Sequence, residues 1–324
     1  MMCFNNNLKG AVAAVCFLLG FSLEIYAQKL VVVSRWEDKV LFIDVSSGKT
    51  YNSIKTGSFP HEIASDPENQ FAYIPSYAGN RITKIDLKNE KLIAHFELGE
   101  HKNLHGVELS NDGKSLWITS EEQRAVIKVN TETGTVLESF STLQYRSHML
   151  TVIPDETKIY ASNLDSGSVS IMNTSTKTTK VLHLGNEAEG IDHTPDGKEI
   201  WVTNRAENTV SVINTNKDEI LKTFPSNGSF PVKLKFSPDG TQVWICNNRS
   251  GTVAVFNAST YSLIKLIETG NRPLGIAFSD DNKFAYITKP GAHEVVEINI
   301  EDDFQITRLF EAEGSPDGII WLPY

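Results

Sequence analysis

The stretch "IWVTNRAENTVSVIN", residues 200–214, joins two alternating apolar segments through a polar turn. Alternation with period two, in segments rich in β-branched and aromatic residues, indicates two antiparallel strands connected by a hairpin. In every copy of this pattern, 13 positions separate the second residue from a closing Asp or Asn, and successive copies begin 41 to 44 residues apart. The seven copies are 30–44, 72–86, 116–130, 159–173, 200–214, 243–257 and 285–299.

This period is typical of a four-stranded propeller blade, and the 3.6-residue apolar spacing of helical repeats is absent. Each unit adds an outer strand such as "ILKTF" (220–224) and an inner strand such as "PLGIAFS" (273–279). We name the strands of a blade A to D from the channel outward. The repeat therefore predicts an all-β fold, a seven-bladed β-propeller of four-stranded antiparallel blades.

The two ends of the chain predict how the ring closes. Residues 29–34 begin with a B strand, so the first blade lacks its A strand, and the tail "PDGII" (316–320) aligns with the inner strands. We predict that this C-terminal strand joins three N-terminal strands and removes the open edges. Residues 28–324 then form a single propeller domain. Trp201 and its aromatic counterparts in five other blades are predicted to pack between blades.

Residues 1–27 differ from the rest of the chain. Lys9 precedes an apolar run of twelve residues, "GAVAAVCFLLGF", and the segment ends at Ala27. This pattern is typical of a signal peptide and is too short to span a bilayer. Lipid attachment at Cys16 is the less favoured alternative, because Val15 is larger than the small residue expected before a lipidated cysteine. We therefore predict an exported protein, periplasmic or extracellular, that is not embedded in a membrane.

Charge and cysteine content restrict the partners. The formal net charge is −10, which opposes binding to nucleic acid, since such binding depends on Lys and Arg neutralising phosphates. Beyond residue 27 only Cys246 remains, so no intrachain disulfide is possible there. Its position in a strand pattern indicates a buried apolar side chain.

The stretch "WVTNRAENTVSVINT" (201–215) resembles the YVTN-type β-propeller repeat family, and the resemblance covers essentially all of residues 28–324. It implies a secreted, periplasmic or surface protein. Related propellers serve as lactonases, antibiotic lyases, d1-type haem proteins or passive binding modules, so the fold alone selects none of these activities.

The D-to-A and B-to-C loops of a propeller share one face, and histidines and arginines concentrate there. One position, directly after the Pro position that begins strand A, carries chemically active side chains on consecutive blades, which we expect to converge at the channel mouth. In blade order this position holds His61, His105, His148, Glu189, Val232, Leu274 and Asp317.

Neutral imidazoles with a carboxylate can hold a divalent metal, so His61, His105, His148 and Glu189 form a possible metal site. A histidine beside a bound lactone can also act as a general base, which makes His105 and His148 candidate catalytic residues. Alternatively, these rings only cap strand A and bond to neighbouring loops.

Three arginines near the ends of B strands, Arg35, Arg205 and Arg249, can bind a carboxylate or phosphate. The alternative is that they pair with nearby loop acids such as Glu37 and Glu207.

Two functional hypotheses follow. The first is an exported binding or interaction module with a small-molecule or protein ligand at the His- and Arg-rich channel mouth. The second is a metal-assisted lactonase- or lyase-type enzyme that uses the histidines and Glu189 on the same face. The sequence carries no phosphate loop, no GxSxG motif and no HExxH motif, so it names no specific chemistry.

Overall fold

The computed structural model describes residues 28–323, which form seven four-stranded antiparallel sheets. Blade 1 contains β1 (Lys29–Ser34), β2 (Lys39–Asp44) and β3 (Lys49–Lys55). Blade 2 contains β4 (Ala64–Ser65), β5 (Phe71–Pro75), β6 (Arg81–Asp86) and β7 (Lys91–Glu97). Blade 3 contains β8 (Leu104–Leu109), β9 (Ser115–Ser120), β10 (Ala125–Asn130) and β11 (Val136–Ser141).

Blade 4 contains β12 (Ser147–Val152), β13 (Lys158–Asn163), β14 (Ser168–Asn173) and β15 (Thr179–His183). Blade 5 contains β16 (Ala188–His193), β17 (Glu199–Asn204), β18 (Thr209–Asn214) and β19 (Glu219–Pro225). Blade 6 contains β20 (Pro231–Phe236), β21 (Gln242–Asn247), β22 (Thr252–Asn257) and β23 (Leu263–Glu268). Blade 7 contains β24 (Ile276–Phe278), β25 (Phe284–Lys289), β26 (Glu294–Asn299) and β27 (Gln305–Glu311). The last strand is β28 (Pro316–Leu322).

Ring closure is confirmed. Strand β28 pairs antiparallel with β1, with Val31 opposite Ile320, and so completes blade 1 as its inner strand. The predicted all-β seven-bladed propeller is therefore confirmed. Within residues 28–323 the helical content is one short 3-10 turn, Arg35–Glu37, and no helix there is long and apolar enough to cross a membrane.

The core lies between neighbouring blades. Trp201 of blade 5, for example, packs with Leu234, Phe236 and Val243 of blade 6. The aromatic residues predicted to pack between blades are all buried, since each holds the same repeat position between two neighbouring blades. They are Tyr73, Trp117, Tyr160, Trp201, Trp244 and Tyr286. Cys246 is also fully buried, and burial raises the pKa of its thiol.

A hydroxyl of the repeat motif joins adjacent blades near the channel mouth. Thr288 Oγ1 accepts a hydrogen bond from the Gly275 N–H (2.7 Å) and donates one to the carbonyl of Asp317 in the next blade (2.9 Å). A Cβ at Gly275 would lie 2.2 Å from that carbonyl oxygen, so the inner strands approach closely only because the residue is glycine. Thr119 makes the same link to the carbonyl of His148 (2.8 Å).

Candidate functional site

A cavity of about 210 Å³ lies at the channel mouth. The position after the Pro position of strand A contributes a side chain from every blade, and we call these seven residues the inner ring. All of them line the cavity, so the convergence expected from the sequence is present: His61, His105, His148, Glu189, Val232, Leu274 and Asp317.

A second set of side chains comes from the ends of the B strands, four positions after the second residue of each repeat. We call this set the outer ring: Arg35, Tyr77, Glu121, Leu164, Arg205, Asn248 and Pro290. Arg35, Leu164 and Arg205 line the cavity.

Arg249, predicted as a ligand-binding residue, does not line the cavity. It follows Asn248, which occupies the position equivalent to Arg35 and Arg205, and a shift of one residue turns the side chain away. Its guanidinium instead lies 3.7 Å from the centroid of the Phe230 ring.

His61 is held by a buried carboxylate. Asp317 Oδ2 lies 2.9 Å from His61 Nδ1 and 3.4 Å from Arg35 Nη1. Burial alone would raise the pKa of Asp317, but the hydrogen bond and charge of His61, together with Arg35, keep that pKa below its usual value. An ionised carboxylate accepts, so Nδ1 carries the hydrogen. In the neutral ring, Nε2 is then a free acceptor, and it has no hydrogen-bond partner among the described residues.

His148 is held in the same way by Glu121, a residue that the sequence reasoning missed. Glu121 Oε1 lies 2.5 Å from His148 Nδ1, and its Oε2 accepts a hydrogen bond from the Tyr77 hydroxyl at 3.0 Å. Burial and the adjacent Glu121 charge raise the pKa of Tyr77, so the hydroxyl keeps its proton and donates. The outer ring therefore orients the inner ring.

Glu189 links the histidines to Arg205. Its Oε2 lies 2.7 Å from Arg205 Nη1, and its Oε1 lies 3.9 Å from His148 Nε2. Burial raises the pKa of Glu189, and the charges of His148 and Arg205 offset only part of this effect. Arg205 also contacts Glu187 at 2.9 Å, so it pairs with a loop acid, as the alternative hypothesis expected, although that acid is Glu187 and not Glu207.

His105 lies between the other two histidines and is only 3% exposed. Its ring stacks on that of His148 with centroids 3.6 Å apart, and the centroid of His61 is 4.8 Å away. Burial and then the neighbouring His148, His61 and Lys233 hold the pKa of His105 well below its usual value, so its ring is neutral. Its Nδ1 is buried without a hydrogen-bond partner in the described chain.

An ion pair between blades 2 and 6 lies one residue further along the inner strands. Lys233 Nζ is 2.5 Å from Glu62 Oε1, and both residues line the cavity. Burial would lower the pKa of Lys233, but Glu62 and Asp317 raise it overall. The sequence carries a signal for this pair, because four other blades have Gly at this position and two charged residues there depart from the repeat.

The predicted metal site gains no support from this arrangement. Within residues 28–323 no group of three or more His, Cys, Asp or Glu side chains is placed to hold a metal ion. His61 and His148 direct Nδ1 at carboxylates, and His105 stacks face to face on His148. Stacked imidazoles do not point their nitrogens at one centre, as metal coordination requires.

The fold and this cavity define a seven-bladed β-propeller with a small polar pocket at its channel mouth. Residues 37–267 match the family described as "Lactonase, 7-bladed beta-propeller", and the chain belongs to that family. No curated protein matches the chain.

Many solved structures are similar to this one, and three illustrate the range. Hydrazine synthase from Kuenenia stuttgartiensis has a TM-score of 0.75 at 19% identity, covering 84% of this chain and 92% of that one. A functionally unknown protein from Desulfotomaculum acetoxidans has a TM-score of 0.77 at 16% identity, covering 90% and 98%. The β-propeller domain of Cps50 (Swd1) from Myceliophteria thermophila has a TM-score of 0.72 at 14% identity, covering 84% and 93%. At these identities the likeness concerns the fold alone.

Proposed function

We propose that the protein binds a small organic anion in the channel-mouth cavity. The observation that supports this most directly is that four buried polar atoms of cavity-lining residues form no hydrogen bond among residues 28–323: Arg35 Nε, His61 Nε2, His105 Nδ1 and Glu189 Oε2, the last of which has Arg205 Nη1 at 2.7 Å as an ion-pair partner. Such an atom costs about 1–3 kcal/mol when it stays unpaired, and native proteins contain few of them. Carboxylate oxygens of a ligand accept from the donors Arg35 Nε and a protonated His105 Nδ1, whereas the acceptor His61 Nε2 needs a hydrogen from a hydroxyl group or a water molecule.

The charge of the lining favours an anion. Four cationic side chains and three carboxylates line the cavity, so the lining alone, with neutral imidazoles, carries one net positive charge, while Asp165, Glu187 and Glu121 pair with lining residues from outside it and the whole chain carries −10. The cations are Arg35, Arg146, Arg205 and Lys233. A local positive site in an acidic protein concentrates small anions there. The cavity is below the roughly 300–1,000 Å³ of pockets for drug-sized ligands, which favours a small molecule over a protein segment.

Calorimetric titration with acetate and butyrate at pH 7 tests the proposal, with Arg35→Gln as the site variant and Arg249→Gln as the matched control. We expect Arg35→Gln to weaken binding at least tenfold, because charge-assisted hydrogen bonds contribute about 1.5–3 kcal/mol. Arg249→Gln should bind like the unmodified protein, since Arg249 lies off the cavity. Absence of binding, or equal losses in both variants, would contradict the proposal.

A second candidate function is hydrolysis of a lactone, favoured by the carboxylate-held imidazole of His61 and by the family. In this reaction His61 Nε2 takes a proton from a water molecule that attacks the lactone carbonyl, and a nearby guanidinium stabilises the oxyanion. The ring C–O bond then breaks and its oxygen regains a proton from the imidazolium. The geometry favours His61 over His105 as the base, because the His105 ring is stacked on His148 and its lowered pKa makes it the weaker base.

Titration of the acid released from δ-valerolactone at constant pH tests this second candidate. We expect His61→Ala to lower the rate by about 10²–10⁴-fold, the usual contribution of a general base. A metal chelator separates this route from the metal-assisted one, because only the latter loses activity on chelation. An unchanged rate in His61→Ala would exclude His61 as the base.

Two further proposals rest on the sequence. Residues 1–27 lie outside the described residues, so the signal peptide and export to the periplasm or the exterior remain our proposals. We also infer that the repeats are of the YVTN type, on the motif at 201–215.

A further inference from the structure

Polar and apolar residues are segregated around the inner ring. Blades 1 to 5 present Asp317, His61, His105, His148 and Glu189, whereas blades 6 and 7 present Val232 and Leu274. Since blades 6 and 7 are neighbours, the two apolar side chains form one continuous side of the cavity.

The outer ring repeats this division. Blades 6 and 7 contribute Asn248 and Pro290, neither of them charged, while blades 1, 3 and 5 contribute Arg35, Glu121 and Arg205. Two blades depart from this division: in blade 4 Leu164 and Met149 also line the cavity, and blade 6 contributes Lys233, whose charge is paired with Glu62.

The apolar side continues into the core. Val232 is buried, and Leu274 is a partly buried residue packed against the same hydrophobic cluster. In a ring of seven blades, blade 3 lies opposite blades 6 and 7, so His105 is across the channel from this apolar side. The polar and apolar sides therefore face each other over the space that a ligand occupies.

We propose that the ligand is a short-chain carboxylic acid with an unsubstituted apolar tail, an inference that rests on the proposed function. Its carboxylate accepts hydrogen bonds from Arg35 Nε and His105 Nδ1, and its tail packs on Val232 and Leu274. The cavity volume of about 210 Å³ corresponds to roughly seven water molecules, which accommodates a carboxylate with a tail of a few carbons.

Calorimetric titration with acetate, butyrate, hexanoate and gluconate at pH 7 tests the tail. Each buried methylene should tighten binding about fourfold, so affinity rises from acetate to hexanoate. Gluconate has the same number of carbons as hexanoate but carries hydroxyl groups along its chain, and it should bind more weakly because those groups lose water against an apolar surface.

The outcomes separate this inference from the proposed function. If acetate and gluconate bind but affinity does not rise with tail length, or if gluconate binds as tightly as hexanoate, the inference is overturned while anion binding stands. If none of the four binds, the proposed function fails and the inference fails with it.

Variants locate the tail. Leu274→Asn should weaken hexanoate binding roughly tenfold and leave acetate binding unchanged, because only the longer ligand reaches the apolar side. Val232→Thr, nearly equal in volume, should act in the same direction and carries less risk to folding. Leu221→Asn, at an exposed apolar position on strand β19, is the matched control and should change neither ligand. Equal losses for acetate and hexanoate in the two cavity variants would overturn the proposal.

Discussion

Replacement of Thr288 by Val removes one of the hydroxyl links between blades while keeping the shape of the side chain. Thr288 is fully buried, and its hydroxyl accepts from the Gly275 N–H at 2.7 Å and donates to the Asp317 carbonyl at 2.9 Å. Valine offers neither bond, so both backbone groups lose this partner. A buried group left unpaired costs about 1–3 kcal/mol, so for two groups we expect the free energy of unfolding to fall by about 2–6 kcal/mol.

Urea denaturation followed by tryptophan fluorescence measures this loss. Thr288→Ser keeps the hydroxyl and loses only a methyl group, so it should lose less than half as much stability as Thr288→Val. Thr50→Val is the matched control, because Thr50 is exposed on strand β3 and its nearest hydrogen-bond contact is long, at 3.5 Å. We expect a change below about 0.5 kcal/mol there.

Two results would refute the reasoning about the hydroxyl. One is a free energy of unfolding for Thr288→Val within about 0.5 kcal/mol of that of the unmodified protein, because substitutions at exposed positions already cause changes of that size. The other is an equal loss in Thr288→Ser and Thr288→Val, which would assign the effect to packing of the methyl group.

Three other substitutions test separate parts of the channel. Burial raises the pKa of Glu108 to about 8, so between its ordinary 4.5 and 8 the folded state keeps a proton that the unfolded state has lost, and stability falls as pH rises. In urea denaturation, Glu108→Gln should therefore have a free energy of unfolding about 1–2 kcal/mol above that of the unmodified protein at pH 8.5, and an equal one at pH 4. The difference is kept small because Glu108 is partly exposed. A difference in stability that does not change with pH would contradict the raised pKa of Glu108. Gly275→Ala should lower the free energy of unfolding by about 1–3 kcal/mol, and with it the thermal midpoint, because the new Cβ would lie 2.2 Å from the Asp317 carbonyl oxygen. An unchanged midpoint would show that the two blades can move apart at little cost. Tyr77→Phe removes the 3.0 Å hydrogen bond to Glu121 and should raise the pKa of the His148 imidazole in NMR titration, because the Glu121 carboxylate loses a donor that competes with His148 for its charge; a lowered pKa would argue against this orientation.

The fold was predictable because each copy of the repeat independently indicates the same pair of strands. A spacing of 13 positions between the second residue and the closing Asp or Asn recurs in all seven copies, so an error in one blade would conflict with the other six. Closure by the strand at 316–322 was predictable for the same reason, since a propeller with a missing inner strand leaves one candidate to supply it.

The inner ring was predictable because its residues share one repeat position, and equivalent positions in a closed ring converge. Arg249 shows the limit of this argument: it was equated with Arg35 and Arg205 although it lies one residue later, and one residue is enough to change the direction of a side chain. The strict register would have given Asn248 instead, and would also have added Tyr77 and Glu121 to the set.

The roles of the histidines were not predictable. Whether His148 binds a metal or a carboxylate depends on the direction of its ring, and Glu121 sets that direction from a neighbouring blade. Likewise the ion pair of Glu62 with Lys233 joins residues of blades 2 and 6, far apart in the sequence. Such contacts follow from three-dimensional packing of single side chains, which the repeat pattern does not encode.

Strand β28 closes the ring and also carries Asp317, the carboxylate that orients His61. During synthesis this strand is made after every other strand of the propeller. A chain whose ring has not yet closed therefore lacks the group that fixes the tautomer of His61, and it also lacks the anchor for Arg35. The arrangement of the cavity is thus coupled to completion of folding, because a propeller without β28 has blades 2 to 7 complete, a three-stranded blade 1, and no Asp317 beside His61.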